Sequence, residues 1–230
     1  YAGMARNVLV KLNFKFDTLV MEEAAQVMEI ESFIPMVLQD NRNMEDSNRL
    51  KRVILLGDHN QLPPIIQNGS FSQYCNLDQS LFTRFVRLGV PYVELDQQGR
   101  CRPELANLFS WRYKKLSNLP LVKPEFQTAT SGMQYNFQLI DVQDYQGKGE
   151  FCPSPHYYQN LGEAEYIVSV YRYLRLIGHP ASRITILTTY NGQRNLIKDV
   201  VHRYCARDKK YGPPGKIATV DKYQGRENDI

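Results

Sequence analysis

Short runs of apolar residues alternate with amphipathic segments along much of the chain. Compact apolar runs bounded by polar residues occupy positions 18–21, 52–57, 184–187 and 216–220. Runs of this length are typical of buried strands in a parallel sheet, because helices cover both faces of such a sheet. The alternation therefore predicts an α/β fold with parallel sheets flanked by helices.

Apolar residues at helical spacing lie between and after these strands. In the first such segment, Val27, Ile30, Ile34 and Val37 fall on one face, which predicts a helix packed against the sheet. Similar spacing predicts further helices, the third of which starts at a proline suited to a first helical turn. The predicted helices span residues 26–38, 81–88, 103–113, 167–177 and 196–201.

Two more strands are predicted. One is the apolar run at 92–95. The other, at 135–142, lies inside an irregular segment, 120–160, that is rich in Gln, Tyr, Gly and Pro. The pattern predicts no other regular element within that segment.

The composition narrows the class of protein. The chain has 230 residues, 43% of them hydrophobic, which is enough to bury a real core. A net charge of +4 permits a phosphate-backbone partner without requiring one. Since no apolar run approaches the roughly 20 residues that cross a bilayer, we expect no membrane partner. Because the chain starts at Tyr1 and stops where another buried strand should begin, we expect it to be an internal piece of a longer protein.

The cysteines indicate a reducing, intracellular compartment. Cys75, Cys101, Cys152 and Cys205 lie far apart and form no C-x-x-C pair, which argues against both a zinc site and a disulfide framework. The triplet 68–70 matches a glycosylation sequon, but such triplets often arise by chance. We therefore give that triplet no functional weight.

Two adjacent carboxylates follow the first predicted strand. Glu22 and Glu23 lie at its carboxyl end, which is where open α/β sheets bind ligands. Hydrolysis of a nucleoside triphosphate needs one acid to hold Mg²⁺ and one base to orient water, and this pair could divide those roles. The alternative is a solvated helix N-terminus, where Glu is favoured by the helix dipole.

A polar loop with paired prolines follows the second predicted strand. It reads Gly-Asp-His-Asn-Gln-Leu-Pro-Pro over residues 57–64, and it could hold Gln61 rigidly as an amide that contacts a terminal phosphate. The alternative is an ordinary surface turn, because Gly, Asp, Asn and Pro are common in turns. The carboxylate pair and this loop together favour a phosphate site.

Five segments, in order, resemble the motifs of superfamily 1B helicases. Residues 22–26 and 57–64 resemble motifs II and III. Residues 96–103 resemble the Q-Y-R-M-H-P element that opens the second RecA-like domain, residues 186–193 the L-T-P-Y-x-G-Q segment, and residues 219–227 the V-D-x-F-Q-G-x-E segment. The resemblance implies a P-loop helicase fold and an ATP-dependent RNA helicase activity.

The resemblance also implies a division of the chain. Residues 1–92 would be the C-terminal part of the first RecA-like domain, and residues 93–230 most of the second. Stretches such as 79–87 and 161–166 are similar to an intron-binding, spliceosomal branch of the family. That branch implies single-stranded intronic RNA and spliceosomal proteins as partners, and a nuclear location.

Site residues carry over from the family's motifs position by position. The resemblance implies ATP and Mg²⁺, with Glu22 as the metal ligand and Glu23 as the base that polarises water. Gln61 would contact the γ-phosphate, and Arg100 would act as an arginine finger on the transferring phosphoryl group. The remaining implied positions are nucleotide-binding Gly225 and Glu227, and RNA-binding Thr189 and Tyr190.

Several alternatives stay open at this stage. Arg100 could instead cap a helix or pair with Asp96, and Tyr190 could be a packed aromatic. The whole could be a helicase-fold scaffold in a ribonucleoprotein with vestigial ATPase activity. It could also be a DNA helicase, because a motor that follows phosphates need not contact the 2′-hydroxyl of RNA.

The sequence departs from the family at three points. Glu22 stands where most relatives have Asp, which moves the carboxylate by about 1.5 Å. Gly99 replaces the usual aromatic residue beside the arginine. No G-x-x-x-x-G-K-[ST] segment occurs in these residues, so the amides and lysine that hold the β- and γ-phosphates are missing. We therefore expect the isolated chain not to hydrolyse ATP appreciably.

Overall fold

The structure is a computed structural model that describes residues 2–38, 49–126, 130–206 and 208–230. The chain divides into two compact units. The first contains Tyr1–Asp96 together with Arg112–Leu116, and the second contains Gln97–Trp111 together with Ser117–Ile230. Among the described residues, no helix is long and apolar enough to cross a membrane.

The first unit is built around two parallel strands. Strands β1 and β2 pair in register from Thr18 opposite Arg52 to Met21 opposite Leu55. Both strands lie where the sequence predicts them, although β2 ends before Gly57. The elements in chain order are α1 (Ala2–Lys11), β1 (Thr18–Met21), a 3₁₀ turn (Ala24–Gln26), α2 (Glu29–Val37), β2 (Arg52–Leu55), α3 (Gly69–Cys75) and α4 (Leu81–Arg87).

Side-chain caps define two of these helices. The Asn68 side chain accepts a hydrogen bond from the Ser70 amide and begins α3, so the triplet that matches a sequon has a local structural use. The Ser80 hydroxyl accepts from the Thr83 amide and begins α4. Helix α2 begins at Glu29, three residues later than predicted, because the chain first forms the 3₁₀ turn.

The prediction that β1, β2 and α2 bury their apolar residues is wrong within the part of the chain that is described. Val20 is 56% exposed, Ile54 45% and Ile30 69%. A sheet of two strands leaves much of its faces uncovered, and α4 packs against the 3₁₀ turn and α2. The buried residues that the structure describes in this unit are instead Ala24, Ala25, Ser32, Pro64, Ser80 and Leu81.

In its described residues, the second unit contains three short strand pairs and two long helices. Strands β3 and β4 are parallel, β5 and β6 antiparallel, and β7 and β8 parallel. The chain enters this unit at Gln97, leaves it after Trp111 and re-enters it at Ser117. A 3₁₀ turn at Ser110–Arg112 lies where the chain first leaves. Its other elements are β3 (Gln97–Gln98), α5 (Pro103–Asn107), β4 (Ser117–Asn118), α6 (Val122–Glu125), β5 (Glu150–Phe151), β6 (Gln159–Asn160), α7 (Leu161–Leu176), a 3₁₀ turn (Ala181–Arg183), β7 (Thr185–Thr188), α8 (Asn191–Cys205), β8 (Lys216–Thr219) and α9 (Val220–Tyr223).

The core of the second unit lies between α7, α8 and β7, where most of the predicted apolar residues pack, although Ile177 is 42% and Leu187 45% exposed. Tyr171 is 1% exposed, and its hydroxyl donates to the carbonyls of Tyr211 and Gly212. Arg175 donates to the Tyr211 carbonyl as well, so the loop before β8 is fixed to α7. The buried cluster consists of Ala164, Val168, Tyr171, Leu174, Ile184, Ile186, Ile197, Val200, Val201, Cys205 and Tyr211.

Three other predicted elements are absent from the structure or much shorter in it. Residues 92–95 form no strand, and the pairing begins instead at Gln97, whose partner is Ser117. Residues 135–142 form no strand either, since no described strand pairs with them, and Leu139 is 97% exposed. The helix that starts at Pro103 ends at Asn107. The chain then forms a 3₁₀ turn, in which the side chains of Ser110 and Trp111 donate to the carbonyls of Asn107 and Leu108.

Candidate active site

The two candidate carboxylates follow β1 on a tight turn. Glu22 and Glu23 are exposed, and the next residue, Ala24, donates its amide to the Leu56 carbonyl at 2.8 Å. Glu23 has φ 50° and ψ 34°, a left-handed conformation that is uncommon for a residue with a side chain. The turn that carries the carboxylates is therefore bonded directly to the end of β2.

Gly57 allows this close approach. A Cβ atom at that position would lie 2.9 Å from the Ala25 amide nitrogen and 3.3 Å from that of Ala24. Backbone atoms cannot rotate away, so any larger residue would push the two strand ends apart. The carboxyl ends of β1 and β2 thus meet at one edge, as expected for neighbouring parallel strands.

The side chain of Gln26 holds Glu23. Its Nε2 donates to Glu23 Oε2 at 2.6 Å, and its backbone amide donates to the Glu23 carbonyl at 2.9 Å. Both bonds arise from the 3₁₀ turn, which brings residues three apart onto one side. The direction of the Glu23 carboxylate is set by this turn.

The polar loop after β2 is organised by Asp58. Its Oδ1 accepts from the Asn60 amide at 2.9 Å, and its Oδ2 accepts from Gln61 Nε2 at 2.8 Å. The Tyr113 hydroxyl also donates to Oδ2, at 2.6 Å, and Arg112 Nε donates to the Asn60 carbonyl at 3.1 Å. Burial, and then the hydrogen bond to Asp58, raise the pKa of Tyr113 to about 12.

The carboxylates fit a magnesium ion. The described residues contain no group of three or more His, Cys, Asp or Glu side chains that could hold a metal ion by themselves. Mg²⁺ does not need such a cage, because it binds through one or two carboxylates together with water and phosphate oxygens. Glu22 and Glu23 are exposed oxygen ligands of the type that Mg²⁺ prefers.

In the second unit, Arg100 pairs with Glu227. Arg100 Nε lies 2.7 Å from Glu227 Oε2, and both side chains are about two-thirds exposed, at 68% and 69%. The Gln98 Oε1 atom accepts the amides of Arg100 and Cys101, which fixes the turn that presents the guanidinium. An exposed pair of this kind contributes little to stability, so the guanidinium can exchange one anionic partner for another.

Arg100 and Glu227 line one polar cleft together with Gly225. The cleft has a volume of about 490 Å³, and Gly225 lies in it with φ +74°. The sequence-predicted nucleotide positions of this unit are therefore neighbours in the structure. The cleft is lined by Arg100, Ser182, Thr185, Gly215, Lys216, Tyr223, Gly225, Arg226, Glu227 and Asn228.

The two candidate RNA contacts lie between β7 and α8. Thr189 is exposed, and Tyr190, 39% exposed, has its ring centroid 4.6 Å from that of Tyr158. Tyr190 thus packs partly against Tyr158, and part of its side chain stays exposed. Nearby Gly192 has no room for a Cβ, which would lie 2.6 Å from the Tyr158 carbonyl oxygen.

Three residues with a clear structural use were given no role from the sequence. Gln193 is 6% exposed, and its side chain bonds to both the amide and the carbonyl of Asn160. Gln26 and Gln193 both lie within motif segments, and this location was the signal in the sequence that could have pointed to them. Tyr113 lies outside every motif, and nothing in the sequence indicated its contact with Asp58.

Comparison with known proteins agrees with the motifs. A family model described as AAA domain matches residues 77–230, and a second with the same description matches residues 1–68. The chain is 56% identical over its whole length to RNA helicase aquarius of Mus musculus. Over 93% of its length it is 28% identical to pre-mRNA-splicing factor cwf11 of Schizosaccharomyces pombe, and over 94% it is 29% identical to a regulator of nonsense transcripts 1 homolog of Arabidopsis thaliana.

The chain spans only 16% to 17% of the length of these three relatives. The family matches nevertheless extend over most of the chain, and its parallel strand pairs flanked by helices are consistent with the RecA-like α/β fold that the sequence predicts. The chain therefore belongs to the AAA domain family, in its superfamily 1 helicase branch.

Proposed function

We propose that the chain is part of an ATP-dependent RNA helicase and supplies residues for both hydrolysis and RNA contact. The observation that carries this proposal is the shared edge of β1 and β2. There the turn with Glu22 and Glu23 is bonded to the strand end that leads into Gln61. Carboxylates that can hold Mg²⁺ and orient water, beside an amide that can contact a phosphate, are among the groups that hydrolysis of a triphosphate uses.

Within this proposal, the first unit performs the hydrolytic steps. Glu22 holds a magnesium ion, which when bound neutralises charge on the phosphates. Glu23 orients the attacking water and accepts its proton, with its carboxylate directed by the Gln26 amide at 2.6 Å. Gln61 hydrogen-bonds the terminal phosphate.

The second unit supplies positive charge and nucleotide contacts. Arg100 stabilises the charge that develops on the transferring phosphoryl group, which it can do because Glu227 holds it only through an exposed ion pair. Gly225 and Glu227 face the nucleotide from the polar cleft they share. Thr189 and Tyr190 contact the RNA backbone at the start of α8.

We propose that residues 1–92 and 93–230 belong to two RecA-like domains whose relative motion drives the helicase along single-stranded RNA. Similarity to an RNA helicase and to a pre-mRNA-splicing factor supports a role in splicing, and with it spliceosomal partners and a nuclear location. Similarity to an RNA helicase favours RNA over DNA as the strand.

The test is ATP hydrolysis by the longer protein that contains this chain, with and without single-stranded RNA or DNA of equal length. The proposal predicts hydrolysis that RNA stimulates more than DNA does. Equal stimulation would indicate a DNA-capable motor. No hydrolysis above that of a Glu23→Gln variant would favour a helicase-fold scaffold instead.

A further inference from the structure

The segment Arg112–Leu116 belongs to the first unit, although the residues before and after it belong to the second. Its Lys115 forms an ion pair with Asp96, the last residue of the first stretch. The chain thus returns to the first unit for only five residues. Two of these contact the loop that carries Gln61.

Both contacts are specific hydrogen bonds. The Tyr113 hydroxyl donates to Asp58 Oδ2 at 2.6 Å, and Arg112 Nε donates to the Asn60 carbonyl at 3.1 Å. An O–H donor at this distance from a carboxylate is a charge-assisted bond, which is stronger than one between neutral groups. The loop after β2 is therefore tied to the returning segment at two of its residues.

The same carboxylate oxygen holds Gln61. Asp58 Oδ2 accepts from Gln61 Nε2 at 2.8 Å while it accepts from Tyr113. A side-chain amide is planar, so a bond to one of its two hydrogens also sets the direction of the other hydrogen and of the carbonyl oxygen. The orientation of the Gln61 amide thus depends on where Asp58 is held.

We propose that Tyr113 is a positioning residue for hydrolysis, which holds Asp58 so that the Gln61 amide faces the terminal phosphate. This inference rests on the phosphate contact assigned to Gln61 in the proposed function. Tyr113 itself touches no substrate. Its effect passes through its hydroxyl group, which contacts the Asp58 carboxylate and also the Gln61 side chain.

The protonation of Tyr113 is consistent with this role. A tyrosine hydroxyl is protonated and can donate at neutral pH, and burial and the Asp58 contact raise the pKa of Tyr113 further, to about 12. A phenylalanine would keep the ring and its packing but remove the donor. Tyr113→Phe therefore separates positioning from packing.

The first arm of the test measures the Gln61 side chain directly in this chain. Side-chain amide resonances are recorded by NMR for the wild type, Tyr113→Phe and the control Tyr74→Phe, with Gln61→Ala used to assign the signal. Tyr74 suits the control because it is 76% exposed in the same unit. We expect the Gln61 signal to shift in Tyr113→Phe and to stay unchanged in Tyr74→Phe, with all spectra recorded at a temperature where every variant is fully folded. An unchanged signal in Tyr113→Phe would overturn the inference.

The second arm measures ATP hydrolysis in the longer protein. Losing one hydrogen bond to a charged group should lower kcat about tenfold in Tyr113→Phe, with the KM for ATP little changed. Asp58→Asn should act similarly, and adding Tyr113→Phe to Gln61→Ala should reduce kcat no further. Additive losses, or an unchanged kcat in Tyr113→Phe, would refute the positioning role.

The two arms separate this inference from the proposed function. If the wild-type protein hydrolyses no ATP, the proposed function fails, and the role of Gln61 in hydrolysis fails with it. The NMR arm still decides whether Tyr113 orients Gln61. If the wild type is active and Gln61→Ala is inactive while Tyr113→Phe is fully active, only the positioning role is wrong.

Discussion

Replacing Gly57 with alanine should destabilise the chain by forcing apart the two strand ends that carry the candidate site. The added Cβ would lie 2.9 Å from the Ala25 amide nitrogen, and it must move about half an ångström to reach ordinary contact at 3.4 Å. It would also press on Ala24, whose amide bonds to the Leu56 carbonyl at 2.8 Å. The neighbours are backbone atoms, so no side-chain rotation can relieve the contact.

Overpacking of this kind costs roughly 1 to 3 kcal/mol, and the lower entropy of the unfolded alanine chain offsets about 0.5 kcal/mol of it. We therefore expect Gly57→Ala to lower the free energy of unfolding by about 1.5 kcal/mol. Urea denaturation followed by circular dichroism measures this difference. In the longer protein, the same variant should also reduce kcat for ATP, because Glu23 moves with the turn.

Gly69→Ala is the matched control. Gly69 is the first residue of α3 in the same unit, and a Cβ there meets no atom within 4 Å. This variant should be as stable as the wild type or slightly more stable, since alanine favours the helix. Equal stability of Gly57→Ala and Gly69→Ala would refute the close approach on which the shared edge depends.

Three further predictions concern other parts of the chain. Gln193→Ala should lower the free energy of unfolding by about 2 kcal/mol, because the Asn160 amide and carbonyl lose the buried side chain that bonds to them. The control is Lys198→Ala, which replaces an exposed residue on the same helix and should change the free energy of unfolding little. The raised pKa of Tyr113, about 12 against an ordinary 10.0, stabilises the fold fully below pH 10, and this contribution is lost as pH rises through 12. Denaturation between pH 9 and 12 should therefore show a smaller loss in Tyr113→Phe than in the wild type, and equal losses would contradict the shift. Finally, the isolated chain should show no ATP turnover above background while the longer protein does, and measurable turnover by the isolated chain would show that another segment replaces the phosphate loop.

The strands and long helices could be predicted because their patterns are local. Strands β1, β2, β7 and β8 lie within two residues of their predicted bounds, and α8 contains the predicted apolar face. The predictions at 92–95 and 135–142 are wrong because a strand needs a partner, and an apolar run does not show whether one is present. The prediction of burial in the first unit is wrong for a related reason, since the burial of a strand depends on which elements cover the sheet.

In the candidate site, too, some contacts could be predicted from the sequence and others could not. The meeting of the Glu23 turn with the Gly57 strand end follows from parallel pairing, which the sequence indicates. The bond from Tyr113 to Asp58 joins residues 55 positions apart through a brief return of the chain, and no periodic pattern encodes such a return. The ion pair of Arg100 with Glu227 was not predicted, although both residues belong to motif segments.

The most direct test of the account is the rate of RNA-stimulated ATP hydrolysis by the longer protein when its proposed catalytic groups are removed one at a time. Glu23→Gln and Arg100→Ala should each lower kcat by about 100-fold or more, with a smaller change in the KM for ATP. Arg203→Ala, which removes an ion pair with Glu165 that lies outside the polar cleft of the second unit, should leave kcat unchanged. Wild-type turnover in either Glu23→Gln or Arg100→Ala would contradict the account.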